Sequence, residues 1–410
     1  MAKVLIDKSL FQSLTAKSLP PLDRHFEVII PPILIKEILG DLSTNRKIKD
    51  REVDVKSFVA KMADRFGVNS IVCHDYFFLL YNSLLGYETP MDGRIVAAGL
   101  TPVATDDGKS GYKVLPTYED KTLMRWQQHE FSVEEAFWAY RWQRIRKFIS
   151  TRLYLNKLIE MGIIITSPKS LEELNETVEN ILSNPKIQGR LLGLINREFR
   201  VPFDIQRQVV LRWFQLKCPF LKGFAPYAAY CLKANLLLAI GNINEQVFGR
   251  QHEHDLRDLE YCYYLPFCEV FASDDKIHRK LIGLLMRPDQ KFVGLELRND
   301  LKRLGEEWFS FSQEEKIEHR RKFGFKPAFN DNSVVWQLWE EFRPDYDSSN
   351  VILPKHNGEL HQSIKGLFDK LDKAKQTANI KKEGSFLIHS RSISKKKLRE
   401  LYPDVDFDLM

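Results

Sequence analysis

Five acidic residues draw attention by their setting. Asp7 directly follows the apolar run Val4-Leu5-Ile6, and Asp275 comes just after Val270-Phe271-Ala272-Ser273. Such short unbroken apolar runs suit parallel strands buried on both faces. Ligands of an open parallel sheet bind outside the carboxyl ends of its strands, so acids at two such ends can share one crevice. Glu37 lies inside ILIKEILGDL, where Ile33, Leu34, Ile38 and Leu42 recur at helical spacing. Asp255 and Asp258 are three apart, which sets both on one face of a helix start. Clustered carboxylates repel one another without a cation. Magnesium or manganese, which prefers carboxylate oxygen and water, resolves that conflict. The chemistry served is water activation and stabilisation of phosphoryl oxygens at one or two metal ions. Each acid also has a plainer reading. Asp7, Asp255 and Asp274-Asp275 are suited to capping helices, Glu37 to a solvent-facing turn, and Asp258 to pairing with Arg257.

The elements around these acids follow from pattern and punctuation. Residues 8–18 form a short helix that Pro20-Pro21 should stop, and Phe26 to Ile30 is a second strand closed by Pro31-Pro32. Pro32 then opens the Glu37 helix. Residues 51–66 read as an amphipathic helix. Beyond residue 75 aromatics become dense, and Asp106-Asp107-Gly108 between VAT and YKVL marks a hairpin. Ser132 and Glu135 form a capping box for a long helix or two over 132–161, and further helical segments separated by prolines continue to residue 240. After 241 the α/β character returns, with a helix from Asp255 to Tyr264, a strand from Glu269 to Ser273 and a helix from residue 276. Residues 299–322 are helical and highly charged.

Three stretches carry a resemblance. VLIDKSLF, IIPPILIKEILGDL and HDLRDLEYCYYLPFCEVFASDDKIHRKL resemble the signature stretches of PIN-domain nucleases. That family places an aspartate after the first strand, a glutamate in an early helix, an aspartate at a late helix start and a [ST]-x-[DN] after the next strand. These fall on Asp7, on Glu37, on Asp255 or Asp258 (which the spacing does not separate) and on Ser273-x-Asp275. The resemblance covers about residues 1–70 and 240–290; a compact PIN domain lacks the long insertion between. It implies a metal-dependent phosphodiesterase that cleaves single-stranded or structured RNA. Asp7 would then ligate magnesium or manganese centrally. Glu37, Asp255, Asp258 and Asp275 would complete the coordination or orient the attacking water. Ser273 would hold backbone and carboxylates in place. Asp274 is the weaker candidate, because its side chain alternates away from that of Asp275.

The expected architecture is therefore an α/β, PIN-like domain with a mainly parallel sheet, formed by residues 1–74 and 241–298. A mostly helical insertion spans 75–240, and a helical, basic and polar extension spans 299–410. Within the insertion, Arg141, Arg144, Arg146, Lys147 and Arg152 alternate with Tyr140, Trp142, Phe148 and Tyr154. Cations can hold phosphates there while aromatics stack on unpaired bases. The competing reading is an amphipathic helix with Trp138, Trp142, Ile145 and Ile149 in the core. The lysine-rich stretch 381–399 could track a phosphate backbone or simply solubilise the chain. Other motifs are incomplete. His252-x-His254-Asp255 is broken by Leu256-Arg257 as a metallo-β-lactamase pattern, and His74-Asp75 has no second histidine set. Asp274-x-Lys276 has no partner aspartate of the restriction-nuclease kind. No Walker loop, GxSxG elbow or GxGxxG fingerprint occurs.

Composition narrows the classes. The chain has 410 residues, 44% hydrophobic and 28% charged, which affords a large core and excludes global disorder. A net charge of +6 excludes histone-like coating of nucleic acid but permits local basic surfaces. Five cysteines without a CxxC pair argue against a disulfide framework and a zinc ribbon, and for buried free thiols in a reducing cytoplasm. The most apolar stretch, Leu232 to Ile240, is about half a bilayer span, and no signal peptide is read. The expected partner is nucleic acid, RNA before DNA, with no membrane; a regulatory protein partner or a homo-oligomer stays open. Two alternatives to an endoribonuclease stand beside it: a catalytically inactive PIN-like binding or scaffold module in a larger assembly, and a metal-dependent DNA nuclease.

Overall fold

The computed structural model describes residues 1–43, 47–48, 51–52, 54–104, 110–145, 151–160, 162–163, 165, 167–243, 245–248, 255–346, 375–376 and 386–389. Its centre is a five-stranded parallel sheet. The strands are β1 (Ala2–Ile6), β2 (Phe26–Ile30), β3 (Ser70–Val72), β6 (Val270–Ala272) and β7 (Lys291–Val293), in the order β3-β2-β1-β6-β7. The expected neighbours meet: Val4 pairs with Val270, Leu5 with Phe271 and Ile6 with Ala272. Central β1 is buried on both faces, which is why its sequence is a continuous apolar run rather than an alternating one. The three-residue strands β3 and β7 were not foreseen.

Nineteen α-helices are seen among the described residues. Toward the amino end are α1 (Lys8–Ser13), α2 (Leu19–His25), α3 (Pro32–Gly40), α4 (Val55–Ala63) and α5 (Tyr76–Leu85). Pro20-Pro21 do not stop α1. They occupy the first turn of α2, where a missing N–H costs nothing. The insertion, which α5 opens, carries α6 (Tyr118–Gln127), α7 (Val133–Ile145), α8 (Thr151–Glu160), α9 (Leu171–Leu182), α10 (Gln188–Glu198), α11 (Phe203–Gln215), α12 (Leu221–Phe224) and α13 (Pro226–Gly241), and α14 (Glu245–Phe248) follows it. The hairpin β4 (Leu100–Ala104) and β5 (Ser110–Val114) pairs as expected, Thr101 opposite Lys113. Its turn, with Asp106-Asp107-Gly108, lies outside the described residues. Ser132 and Glu135 do form the reciprocal cap of α7, at 3.2 and 2.8 Å.

α13 is apolar nearly all round because it is surrounded. Its Lys233 reaches Glu179 of α9 at 3.0 Å. Among the described residues, no helix is long and apolar enough to cross a membrane. The second part adds α15 (Asp255–Cys262) and α16 (Lys276–Leu285); α17 (Leu295–Ser310) runs from it into the extension, which holds α18 (Gln313–Phe323) and α19 (Val334–Phe342). α17 and α19 pack onto the sheet unit. Gly305 allows α17 to approach the Lys17 carbonyl so closely that a Cβ there would lie 1.8 Å from it. Trp339 Nε1 donates to His25 O at 2.6 Å, and Arg343 holds Glu269 and the Met1 carbonyl. The extension is helical over its first part, as expected for residues 299–322, whereas two later pieces are strands: β8 (Lys375–Gln376) joins β4 and β9 (Phe386–His389) joins β5. An isolated stretch of lysine-rich sequence gives no warning that it will complete a sheet edge. Cys73, Cys231, Cys262 and Cys268 are buried free thiols as expected, whereas Cys218 is exposed.

Candidate active site

The site starts where the sheet's hydrogen bonding runs one residue beyond its strands. Asp7 N–H donates to Ala272 O at 3.1 Å, and Ser273 N–H donates to Val293 O at 3.0 Å. Asp7 and Ser273 are thereby brought side by side at the carboxyl ends of β1 and β6. Asp7 is the N-cap of α1, Oδ1 accepting from Leu10 N–H at 2.8 Å. Its Oδ2 accepts from the hydroxyls of Ser9, at 3.0 Å, and Ser273, at 2.5 Å. The capping reading of Asp7 is thus correct, and it does not exhaust what this carboxylate touches.

His278, on α16, completes the group and was absent from the sequence reading. Its Nε2 lies 2.7 Å from the Asp258 carbonyl and its Nδ1 2.7 Å from Ser273 Oγ. A carbonyl only accepts, so Nε2 carries a hydrogen. The single hydroxyl hydrogen of Ser273 is committed to Asp7, so Nδ1 must also donate. The arrangement thus favours the imidazolium form, with Nδ1 3.5 Å from Asp7 Oδ2. Ser273 Oγ accepts a second hydrogen bond from Asp275 N–H at 3.0 Å. The titration directions agree. Burial pushes Asp7 up, but the hydrogen bond and charge of His278, then Ser273 and Leu10, hold it below the usual carboxylate range. Burial pushes His278 down, but Asp7 above all brings it above the usual imidazole value. The repulsion expected among clustered acids does not govern Asp7, because its neighbours are donors. The spacing Asp275-x-x-His278, one turn into a helix that starts at the site, was the available signal.

Glu37 projects from α3, whose first residue is Pro32 and whose Ile33, Leu34 and Ile38 are buried. Its Oε2 accepts from Tyr261 Oη at 2.7 Å, and that oxygen accepts from Lys8 N–H at 3.2 Å. A single tyrosine thus links the start of α1 to α3 and α15. Burial raises the Glu37 carboxyl against the lowering effects of Lys8, Tyr261 and Arg257. The Lys8 ammonium itself goes to Glu37 O at 2.9 Å and Asp41 Oδ2 at 3.0 Å. Asp275 is half-buried and caps α16, Oδ1 accepting from Ile277 N–H at 2.8 Å. Asp274 is exposed, as the alternation required, and lies 4.0 Å from Arg279.

On α15, Asp258 is half-buried and its carbonyl anchors His278. Arg257 turns to α7, donating to Trp142 O at 2.9 Å with its guanidinium 4.5 Å above the Trp142 ring. Asp255 opens α15, but its side chain lies outside the described residues. Glu260, two residues on from Asp258, was also missed. Burial lifts its carboxyl to about 7, with Lys36 opposing and Asp75 and Glu37 adding to the rise. Asp75 caps α5 and binds Lys36 at 2.9 Å, and His74 stacks on Phe78, so neither forms a phosphohydrolase pair. His252 and His254 lie outside the described residues.

The donors suit a hard cation in kind, being carboxylate oxygens. Glu37 Oε1 and Asp275 Oδ2 accept no hydrogen bond among the described residues, which leaves each an oxygen for coordination. No three His, Cys, Asp or Glu side chains among the described residues gather closely enough to enclose a metal. Magnesium does not require such a cage, since it commonly binds through one or two carboxylates plus water and substrate phosphate.

The α7 helix borders this region. It packs against α3, and Ala139 O accepts from Ser43 Oγ at 3.1 Å. Arg141 is exposed with its guanidinium 5.8 and 5.7 Å from the Phe137 and Trp138 rings. Trp138 is exposed, not in the core as the amphipathic alternative had it; Trp142 is half-buried. Arg144 and Arg152 belong to α7 and α8 with side chains outside the described residues, as are Arg146 and Lys147 altogether. In comparisons with known proteins, no family model, no curated protein and no solved structure matches the chain.

Proposed function

We propose that the chain is a magnesium- or manganese-dependent endonuclease that hydrolyses phosphodiester bonds, in RNA before DNA, with a PIN-like α/β unit at its centre. The observation that carries this reading is the hydrogen bond between Asp7 and Ser273 across the ends of two central strands, with Glu37, Asp258 and Asp275 on the elements that leave the same edge. Asp275 and Glu37 would hold the metal through their open oxygens, with Asp7 and Asp258 or Asp255 beside them. A bound divalent ion supplies a water of lowered pKa and neutralises charge on phosphoryl oxygens. Ser273 and His278 keep Asp7 ionised and fixed in one rotamer. Tyr261 orients Glu37. Phe137, Trp138 and Arg141 offer faces for unpaired bases and a cation for phosphate.

The test uses single-stranded RNA, structured RNA and single-stranded DNA, with magnesium, manganese or chelator. Asp275→Asn and Glu37→Gln keep side-chain size and remove ligand charge, so cleavage should fall by at least about a hundredfold, a few kcal/mol of lost transition-state stabilisation. Cleavage that ignores chelator, or survives both substitutions, would defeat the proposal.

A second reading, binding without cleavage, is favoured by one observation: both oxygens of Asp7 are already engaged by the protein's own donors. It predicts RNA binding that weakens in Arg141→Glu, with no cleavage under any metal.

A further inference from the structure

α11 turns apolar side chains outward. It buries Val209 and half-buries Ile205 and Trp213, yet Phe203 is 83% exposed and Phe214 62%, with Val210 and Leu211 exposed between them. At about 100° per residue, Phe203, Val210 and Phe214 fall along one line with Leu211 beside it. Leu216 and Phe220, past the end of the helix, are exposed as well. Charge here is one-sided. Residues 186–222 contain eight lysines and arginines against two acids, Glu198 and Asp204. Arg212 turns inward to Leu84 O and Phe224 O, and Lys222 pairs with Glu179. Arg200, Arg207 and Lys217 are exposed, and Arg207 falls within the apolar line.

These features select among occupants. A second copy docking the same face would set the positive charge against itself. Nucleic acid would satisfy the cations and the phenylalanines, but Val210, Leu211 and Leu216 have no base to stack on. A groove-binding protein would need a deep partner surface to receive so prominent a ridge, whereas a fluid interface shapes itself to it. We propose that α11 and the segment through Phe220 lie on an anionic lipid surface. Phe203, Phe214 and Phe220 enter the acyl boundary, and Arg207 and Lys217 meet the headgroup phosphates. The expectation of no membrane partner rested on spans; lying on a bilayer needs only one helix face.

The experiment is flotation of the full chain with vesicles of phosphatidylcholine alone or mixed with phosphatidylserine, at low and high salt. Binding should require phosphatidylserine and weaken with salt. Phe203→Ser, Phe214→Ser and Arg207→Glu should each reduce partitioning, about tenfold for either phenylalanine. Phe329→Ser, equally exposed elsewhere, should change nothing, and circular dichroism should show all variants folded. Absence of binding to the anionic vesicles overturns the proposal, as does binding unchanged when Phe203→Ser and Phe214→Ser are combined. A dimer lost in Phe214→Ser without vesicle binding assigns the face to a second copy. Retention of single-stranded RNA assigns it to nucleic acid. Capture of a peptide of residues 401–410, where Asp404, Asp406 and Asp408 alternate with Val405, Phe407 and Leu409, assigns it to an acidic polypeptide. Each of these three, in place of vesicle binding, also overturns it.

Discussion

Ser273 Oγ lies 2.5 Å from Asp7 Oδ2 although the two are 266 positions apart in the chain. That contact, with His278 behind it and Asp275 N–H on the same hydroxyl, makes a serine the hub of the acidic edge. Replacing Ser273 by alanine leaves a buried imidazolium and carboxylate short of a partner. A loss of about 1–3 kcal/mol is expected, read as a lower urea midpoint with an unchanged slope. An unaltered midpoint would mean the hub is dispensable.

Asp7→Asn should lower stability rather than relieve repulsion. Asp7 is held below its ordinary range and His278 above its own, so each supports the other's charged form. Asp7 contributes above its unfolded pKa, and that contribution is lost as pH falls through its lowered folded value. His278 contributes below its unfolded pKa and loses that contribution as pH rises through its raised folded value. The pair therefore stabilises most between about pH 4 and 6.5. In Asp7→Asn the His278 pKa should drop below the usual imidazole value, since burial then acts with less opposition. An NMR titration of the histidine ring protons decides this; an unmoved His278 would refute the coupling.

Acid should weaken the contact between α2 and the carboxy-proximal helices. Burial holds His25 down at about 3, and burial with Arg24 and other cations holds His319 at about 4. Both rings stay neutral in the fold and take up protons when unfolded. Stability should therefore fall as pH drops through about 6.5 and continue falling to about 4. In His25→Gln the slope of melting temperature against pH over that interval should flatten. An identical slope would point to other titrating groups.

Two glycine substitutions should have opposite signs. Gly305→Ala drives a methyl into the Lys17 carbonyl and should cost about 1–3 kcal/mol or more by forcing α17 away from its neighbour. Gly193→Ala, inside α10 with nothing within 4 Å of its new Cβ, should gain about 0.5–1 kcal/mol. Thermal melts of the two variants, side by side, test both statements.

The central strands could be read because burial on both faces leaves a plain signature, as in Val4-Leu5-Ile6 and Val270-Phe271-Ala272. β3 and β7 could not, since each sets only two apolar residues, Ile71-Val72 and Phe292-Val293, behind a polar one. The acids at strand ends were legible from position alone. Tyr261 was not, because its role depends on which N–H and carboxylate face it after folding, and His278 was marked only by its spacing from Asp275. Pro20-Pro21 illustrate the same limit: proline both stops and starts helices, and only the neighbouring turn decides which.

The order of the strands has a kinetic consequence. β1 must wait for β6, so the central pairing closes a loop of more than 260 residues, far slower to form than the local helices between. A nascent chain that has emerged only through α13 already displays Asp7 and Glu37 but has no Ser273, Asp275 or His278. During synthesis the acidic edge is therefore assembled late, after the helical bulk has had time to fold, and a chain cut short before β6 carries half a site.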